Sequence, residues 1–214
     1  MSSVDSLVHN FRAKAEAVST ILKVMAAPVK ALEYAVQMCE DKEPCQTMVS
    51  GSSTDPSNKA EELATQKLPK TIAGPALPKT QQKILKHLCE SRGITFITQG
   101  LRDHLFGIDI GITYADWGIA ETGTIIMDSS NEDVRLATMI SDVHVAMLPI
   151  HRIRKSFFDL ETELRVTMED TPNYTAFITG ASRTADIERI LTLGVHGPLE
   201  LHIILLKGSC GKKP

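Results

Sequence analysis

Apolar residues recur along this 214-residue chain at two spacings, one typical of helices and one typical of strands. From Val4 to Ala17 they return every three or four residues, which predicts an amphipathic helix. The following run, Val18 to Met25, is rich in β-branched residues and predicts a strand. Pro28 suits the first turn of a helix, so the next helix is predicted to run from Pro28 to about Cys39.

The same alternation continues to the end of the chain. Strands are predicted over 45–50, 94–98, 124–127, 144–148, 174–179 and 201–206. Helices are predicted over 79–92, 132–140, 157–168 and 186–193, with a short helical patch over 59–66. Strands that alternate with helices are typical of a mainly parallel sheet covered on both faces. The predicted fold class is therefore α/β.

The segment from Gly51 to Pro78 is the least regular part of the chain. Three prolines, Pro69, Pro75 and Pro78, lie close together in it, and we predict a loop or a lid. The chain length suits one α/β domain, residues 1–214, with an appended helical arm over about 1–17.

Composition narrows the class of partner. The net charge is −3 and aromatic residues make up 5%, which argues against recognition of a nucleic acid through its phosphates and bases. The apolar runs fall far short of the roughly 20 residues that a membrane-spanning helix needs. The amino-terminal residues lack the features of a secretory signal, so the predicted location is the cytoplasm.

The four cysteines, Cys39, Cys45, Cys89 and Cys210, include no Cys-x-x-Cys pair of the kind that holds an iron–sulfur cluster. Free structural thiols are expected, although the spacing leaves a disulfide between Cys39 and Cys45 open. No Cys-x-x-Cys pair accompanies the seven histidines, and no metal site is predicted.

Small and polar residues follow the predicted strand over 174–179. Gly180 allows a close backbone approach, and Ser182, Arg183 and Thr184 offer two hydroxyls and a guanidinium. Ligands in parallel α/β sheets sit beyond the carboxyl ends of the strands, where we expect this loop to lie. The combination is typical of an anion-binding loop.

Further along the same stretch, His196 stands directly beside Gly197 and can shuttle a proton near neutral pH. A plainer reading is that Ser182 or Thr184 caps a helix that begins near Ala185.

A second candidate segment runs from Gly111 to Thr124. It holds two carboxylates, Asp116 and Glu121, next to the only tryptophan, Trp117. Glu121 is either a cap or a site group whose pKa would rise on burial. Asp116 could equally cap a turn, and Trp117 could belong to the core.

Three motifs in order, over 113–124, 180–188 and 194–198, resemble the LUD domain, the lactate utilization protein C family of bacterial lactate operons. The resemblance covers nearly the whole chain from about Phe11. It implies a Rossmann-like parallel sheet with a small added subdomain, similar to sugar-phosphate isomerases and coenzyme A transferases. It also implies a role in the oxidation of lactate to pyruvate, beside an iron–sulfur subunit and a cysteine-rich subunit.

Within these motifs, Glu121, His196 and Asp116 are the candidate catalytic residues. The candidate ligand-binding residues are Thr122, Gly123, Thr124, Gly180, Ser182, Arg183, Thr184, Asp186 and Gly197. No intrinsic cofactor is expected, since the Gly-x-Gly-x-x-Gly fingerprint is absent and the cluster-binding cysteines of longer relatives are missing. Iron–sulfur clusters are therefore expected on partner subunits.

Three hypotheses follow. The first is an accessory, non-redox subunit that binds a small anion (lactate, pyruvate, phosphate or a coenzyme A-type metabolite) or a partner. The second is an isomerase or an acyl or coenzyme A transferase that uses Glu121, which rests on fold analogy alone. The third is a scaffold or regulatory subunit with a vestigial pocket.

Overall fold

A computed structural model describes residues 3–43, 69–104, 107–169, 173–184, 192–193 and 197–208. The helices within these ranges are α1 Ser3–Ala17, α2 Pro28–Asp41, α3 Lys79–Glu90, α4 Glu132–Met139 and α5 Glu161–Glu169. The strands are β1 Thr20–Met25, β2 Thr71–Ala73, β3 Thr95–Ile97, β4 Ile108–Tyr114, β5 Trp117–Ile119, β6 Thr124–Asp128, β7 Ser141–Pro149, β8 Ile153–Arg154, β9 Thr175–Ile178, β10 Arg183–Thr184, β11 Thr192–Leu193 and β12 Glu200–Leu206.

Six strands form one parallel sheet in the order β1-β12-β7-β4-β2-β3. The run Leu201–Leu206 in β12 is buried throughout, as expected of a parallel strand covered on both faces. Alternate residues of the sheet face α2 and α3 on one side and α1 and α4 on the other. The prediction of a Rossmann-like α/β sheet with helices on both faces is confirmed.

Two of the strands that we expected in this sheet belong to a second one. β6 and β9 pair antiparallel, with Ile126 opposite Phe177, in a four-stranded sheet of order β8-β5-β6-β9. The cause is local: β5 and β6 form a hairpin, whose turn ends at Gly123 with φ +70°. A hairpin reverses the chain, so β6 cannot continue a parallel alternation.

Helix α1 is built into the core rather than attached as a loose arm. Phe11 and Ala15 are fully buried and belong to one apolar cluster with Leu148 of β7 and Ile125 of β6. At Gly118 a Cβ atom would lie 3.0 Å from Phe11 Cε2. The helix therefore joins the two sheets.

Three further expectations change. Thr71–Ala73, inside the segment predicted as a loop or lid, is the buried strand β2. Strand β4 lies where the sequence analysis predicted none. Thr192–Leu193 is the strand β11 rather than the end of a helix, and it pairs with β10. The predicted strand over 45–50 and the helical patch over 59–66 lie outside the described residues.

The two described cysteines are free and buried, as expected of structural thiols. Cys39 of α2 and Cys89 of α3 belong to one apolar cluster. Burial disfavours the thiolate and raises the pKa of each to about 12, from an ordinary value of 9.0.

We expect both thiols to resist an aromatic disulfide reagent in the folded protein, because this change in pKa lowers the thiolate fraction roughly 1000-fold. The measurement is the rate of thiol release at pH 8, with and without guanidinium chloride. A Cys45→Ser/Cys210→Ser variant removes the remaining thiols as a control. Rapid labelling of that variant without denaturant would contradict the prediction.

Candidate functional site

Two of the three motifs meet at the carboxyl-terminal end of α1. The Thr124 and Thr179 hydroxyls are 2.7 Å apart, and the Thr122 hydroxyl is 2.7 Å from that of Thr124. A Cβ atom on Gly123 would lie 2.7 Å from Ala15 Cα, so only glycine lets the turn approach the helix this closely. The chain of hydroxyls joins β6 to the end of β9.

The loop after β9 depends on glycine in the same way. Gly180 has φ +79°, and a Cβ atom there would lie 2.5 Å from the carbonyl oxygen of Val18. The third motif joins at Ser182, whose amide donates to the Pro198 carbonyl oxygen at 3.0 Å. Gly197 lies against the Ser182 side chain, where an added Cβ would be 3.2 Å from Ser182 Cβ.

The structure therefore brings parts of all three motifs together. We call this region the motif surface; it comprises residues 121–124, 179–183 and 197–198. Arg183 is exposed on it, at the start of β10. Asp186 and His196 lie outside the described residues, and for Thr184 the backbone alone is described.

The expected location of this loop is wrong. Val18 lies two residues before β1, and Pro198 and Leu199 directly precede β12. The Leu199 amide donates to the carbonyl oxygen of Asp142, the second residue of β7. These contacts place the motif surface at the amino ends of the parallel strands, not beyond their carboxyl ends. The reason is that β9 pairs antiparallel in the second sheet, so its end is not bound to the carboxyl edge of the first.

The two candidate carboxylates occupy opposite ends of the β5–β6 hairpin. Glu121 is exposed in the turn, where its Oε1 accepts a hydrogen bond from the Phe157 amide at 3.3 Å. Asp116 precedes β5, and its Oδ2 accepts from the Asp128 amide at 2.7 Å. Strand β5 separates their Cα atoms by about 10 Å or more, given ~3.3 Å per residue. They do not form one acid–base pair.

Asp116 instead lines a cavity of about 290 Å³ between the second sheet and α5, together with Trp117 and Arg152. The Arg152 guanidinium donates to the Asp116 carbonyl oxygen at 3.2 Å and lies 5.4 Å from the Trp117 ring centre. Arg154 lies 4.6 Å from the same ring and 3.7 Å from Glu163. Each cation here already has protein partners, so the network holds α5 and the hairpin together.

The sequence analysis missed Arg152 and Arg154. Arg152 ends a 3-10 turn and Arg154 lies in β8, and both guanidinium groups approach the Trp117 ring. Their two-residue spacing could have indicated a shared partner. Thr179 was also missed, although it directly precedes Gly180.

No group of three or more acidic, histidine or cysteine side chains within the described ranges could hold a metal ion. Among the helices that the structure describes, none has the length and apolar character needed to cross a membrane.

The chain is similar in sequence to a known family and to proteins within it. Residues 8–206 match the model of the LUD domain family. Lactate utilization protein C of Halalkalibacterium halodurans is 34% identical over 102 residues, which are 46% of this chain and 44% of that protein. The namesake from Bacillus subtilis is 31% identical over 101 residues, or 46% and 42% of the two chains. The matched segments thus span less than half the length of these relatives.

A solved structure shows the same fold over nearly the whole chain. The crystal structure of a DUF162 family protein from Deinococcus radiodurans superposes with a TM-score of 0.58 at 16% identity, covering 96% of this chain and 99% of that one. At this identity the likeness concerns the fold alone. Because the family model extends over nearly all of the sequence, the chain belongs to the LUD domain family.

Proposed function

We propose that this protein is a non-redox component of a lactate utilization system and that it binds a small carboxylate, lactate or pyruvate, at the motif surface. The similarity to relatives named lactate utilization protein C supports a role in such a system. The observation that carries the binding site is the meeting of the motifs through the Thr124–Thr179 hydrogen bond, beside the exposed Arg183.

The chemistry of the motif surface suits such an anion. A guanidinium can donate two parallel hydrogen bonds to one carboxylate, which makes Arg183 the proposed anchor. The hydroxyls of Thr122 and Ser182 offer further donors. Glu121, exposed in the adjoining turn, offers an acceptor to the hydroxyl of lactate, a group that pyruvate lacks.

His196 and Asp186 are proposed to complete the site, since both belong to the same motifs. His196 would take the role of proton acceptor.

Oxidation of lactate removes two electrons and two protons, so it needs an electron acceptor. The sequence carries neither a dinucleotide fingerprint nor a cluster-binding cysteine run. We therefore assign electron transfer to iron–sulfur and cysteine-rich partner subunits, and binding to this chain.

Replacement of Arg183 by glutamine is expected to weaken lactate and pyruvate binding roughly 10-fold or more, since a hydrogen bond to a charged group contributes about 1.5–3 kcal/mol. Isothermal titration calorimetry on the full chain measures the two affinities. Arg165→Gln is the matched control, because Arg165 is an exposed arginine of α5 that pairs with Glu161. Glu121→Gln is expected to weaken lactate binding more than pyruvate binding.

Unchanged affinity in Arg183→Gln would remove the motif surface as the site. The absence of heat with both carboxylates would overturn binding altogether and favour a scaffold. Reduction of a dye by lactate and the purified chain, without partners or added flavin, would overturn the non-redox assignment.

A further inference from the structure

A second polar region lies at the carboxyl ends of the parallel strands, opposite the motif surface. A cavity of about 670 Å³ opens where β1, β12 and β7 end and where the first half of α1 crosses them. Part of its lining is apolar, and the rest consists of one carboxylate and four basic side chains. The apolar members are Val4, Val8, Val24 and Ile150, and the basic members, here called the basic rim, are His9, Arg12, His151 and Lys207.

The fold brings these four residues together from three places in the sequence. Asp5, His9 and Arg12 are spaced by four and three residues, so they share one face of α1. His151 follows β7 in a single 3-10 turn, and the Lys207 amide extends the sheet by donating to the Met25 carbonyl oxygen at 3.1 Å. In α/β sheets this edge is where ligands usually bind.

The charge of the basic rim is poorly compensated. The side chains of His9, His151 and Lys207 form no hydrogen bond or ion pair in the part of the chain that the structure describes. Arg12 pairs with Glu16 at 3.4 Å, but both side chains are well exposed, and such pairs are weak enough to be shared with a ligand. Among the described residues, Asp5 is the single carboxylate of the lining.

These features point to one class of ligand. A lone carboxylate needs one or two donors, whereas four basic groups suit the three oxygens and double charge of a phosphate monoester. The apolar lining that the structure describes is aliphatic, with no aromatic ring on which a base could stack. The cavity volume lies within the usual range for small organic ligands, about 300–1,000 Å³, and exceeds what a bare phosphate ion needs.

We propose that this cavity is a binding site for an aliphatic organic phosphate, separate from the motif surface. The phosphate binds the basic rim, and the aliphatic body lies on Val8, Val24 and Ile150. The site is independent of the proposed carboxylate site, because it stands at the other edge of the sheet and shares none of its residues.

The test is a calorimetric titration of the full chain with butyl phosphate, inorganic phosphate and butyrate. Butyl phosphate is expected to bind more tightly than inorganic phosphate, through the aliphatic lining, and more tightly than butyrate, through its charge. Lys207→Met and His151→Gln are each expected to weaken butyl phosphate binding roughly 10-fold. Val8→Ser is expected to reduce the advantage of butyl phosphate over inorganic phosphate.

Two control variants test whether the binding is specific to this cavity. Lys86→Met removes an exposed lysine of α3 that pairs with Glu90, and it is expected to leave butyl phosphate binding unchanged. Arg183→Gln is also expected to leave it unchanged, which separates this site from the motif surface. The four substituted basic side chains are all solvent-exposed, so circular dichroism is expected to show the native fold in each variant.

The proposal is overturned if butyl phosphate does not bind, or if Lys207→Met and His151→Gln bind it as the unaltered chain does. It is also overturned if Lys86→Met weakens binding as much as Lys207→Met, because that result indicates attraction by diffuse surface charge.

Discussion

Replacement of Gly111 by alanine is expected to lower the unfolding temperature by roughly 6–12 °C, the equivalent of about 3 kcal/mol for a chain of this length. Gly111 lies in β4, where α4 crosses the sheet. A Cβ atom would lie 2.9 Å from the carbonyl carbon of Ala137 and closer still to its oxygen and to Ser141 Oγ. The obstruction is helix backbone, so relief requires α4 to move off the sheet.

Thermal unfolding followed by circular dichroism measures this effect. Gly93→Ala is the matched control, because Gly93 has φ +66° but no atom within 4 Å of an added Cβ. It is expected to cost about 1–2 kcal/mol, from backbone strain alone. Close packing at Gly111 is refuted if its alanine variant unfolds at the temperature of the control or above it.

Acidification between pH 6.5 and pH 4 is expected to remove about 3 kcal/mol of stability through one buried residue, His144 of β7. Its side chain is fully enclosed, and Nε2 lies 2.8 Å from the Thr113 hydroxyl. Burial disfavours the imidazolium and lowers the pKa to about 4 from an ordinary 6.5. The unfolded chain takes up the proton first, so stability is complete above pH 6.5 and falls as the pH drops towards 4.

Urea unfolding at pH 7 and pH 4 measures this loss. A Thr113→Val/His144→Leu variant removes the imidazole without leaving the Thr113 hydroxyl buried and unpaired. Its loss of stability on acidification is expected to be about 3 kcal/mol smaller than that of the unaltered chain. His87→Gln, an exposed histidine of α3, is the control and is expected to retain the full loss.

An equal loss in the double variant and the unaltered chain would show that carboxylates, not His144, cause the acid sensitivity.

The elements whose apolar residues recur at a regular spacing were predicted from the sequence. The apolar stripe of α1 and the runs of β1, β7 and β12 were placed within a few residues. Strand β2 was not predicted, because three residues are too few to show a periodic pattern of apolar positions. Strand β4 was not predicted, because polar and small residues interrupt its apolar run. One of these polar residues, Asp109, is buried in the strand, where its carboxylate pairs with Lys42 at 3.1 Å. Their burial depends on partners that are distant in the sequence.

The site shows the same division between local and distant information. The motifs indicated that Thr124 and Gly180 belong together, and the Thr124–Thr179 hydrogen bond joins their segments. The prediction that this loop lies at the carboxyl ends of the parallel strands was wrong, because antiparallel pairing of β9 with β6 cannot be inferred from β9 alone. The grouping of the basic rim was not predicted for a related reason: His9 and Lys207 line one cavity only because β1 and β12 are neighbours.

Helix α1 touches both regions, and this has a consequence for how the protein opens. Its carboxyl-terminal end contacts the Gly123 turn, its first half lines the cavity at the other edge, and Phe11 anchors it between the sheets. The fifteen residues of α1 span about 22 Å. Release of Phe11 would detach the whole helix at once, so the two regions share one cooperative unit of local unfolding and one protection against amide exchange.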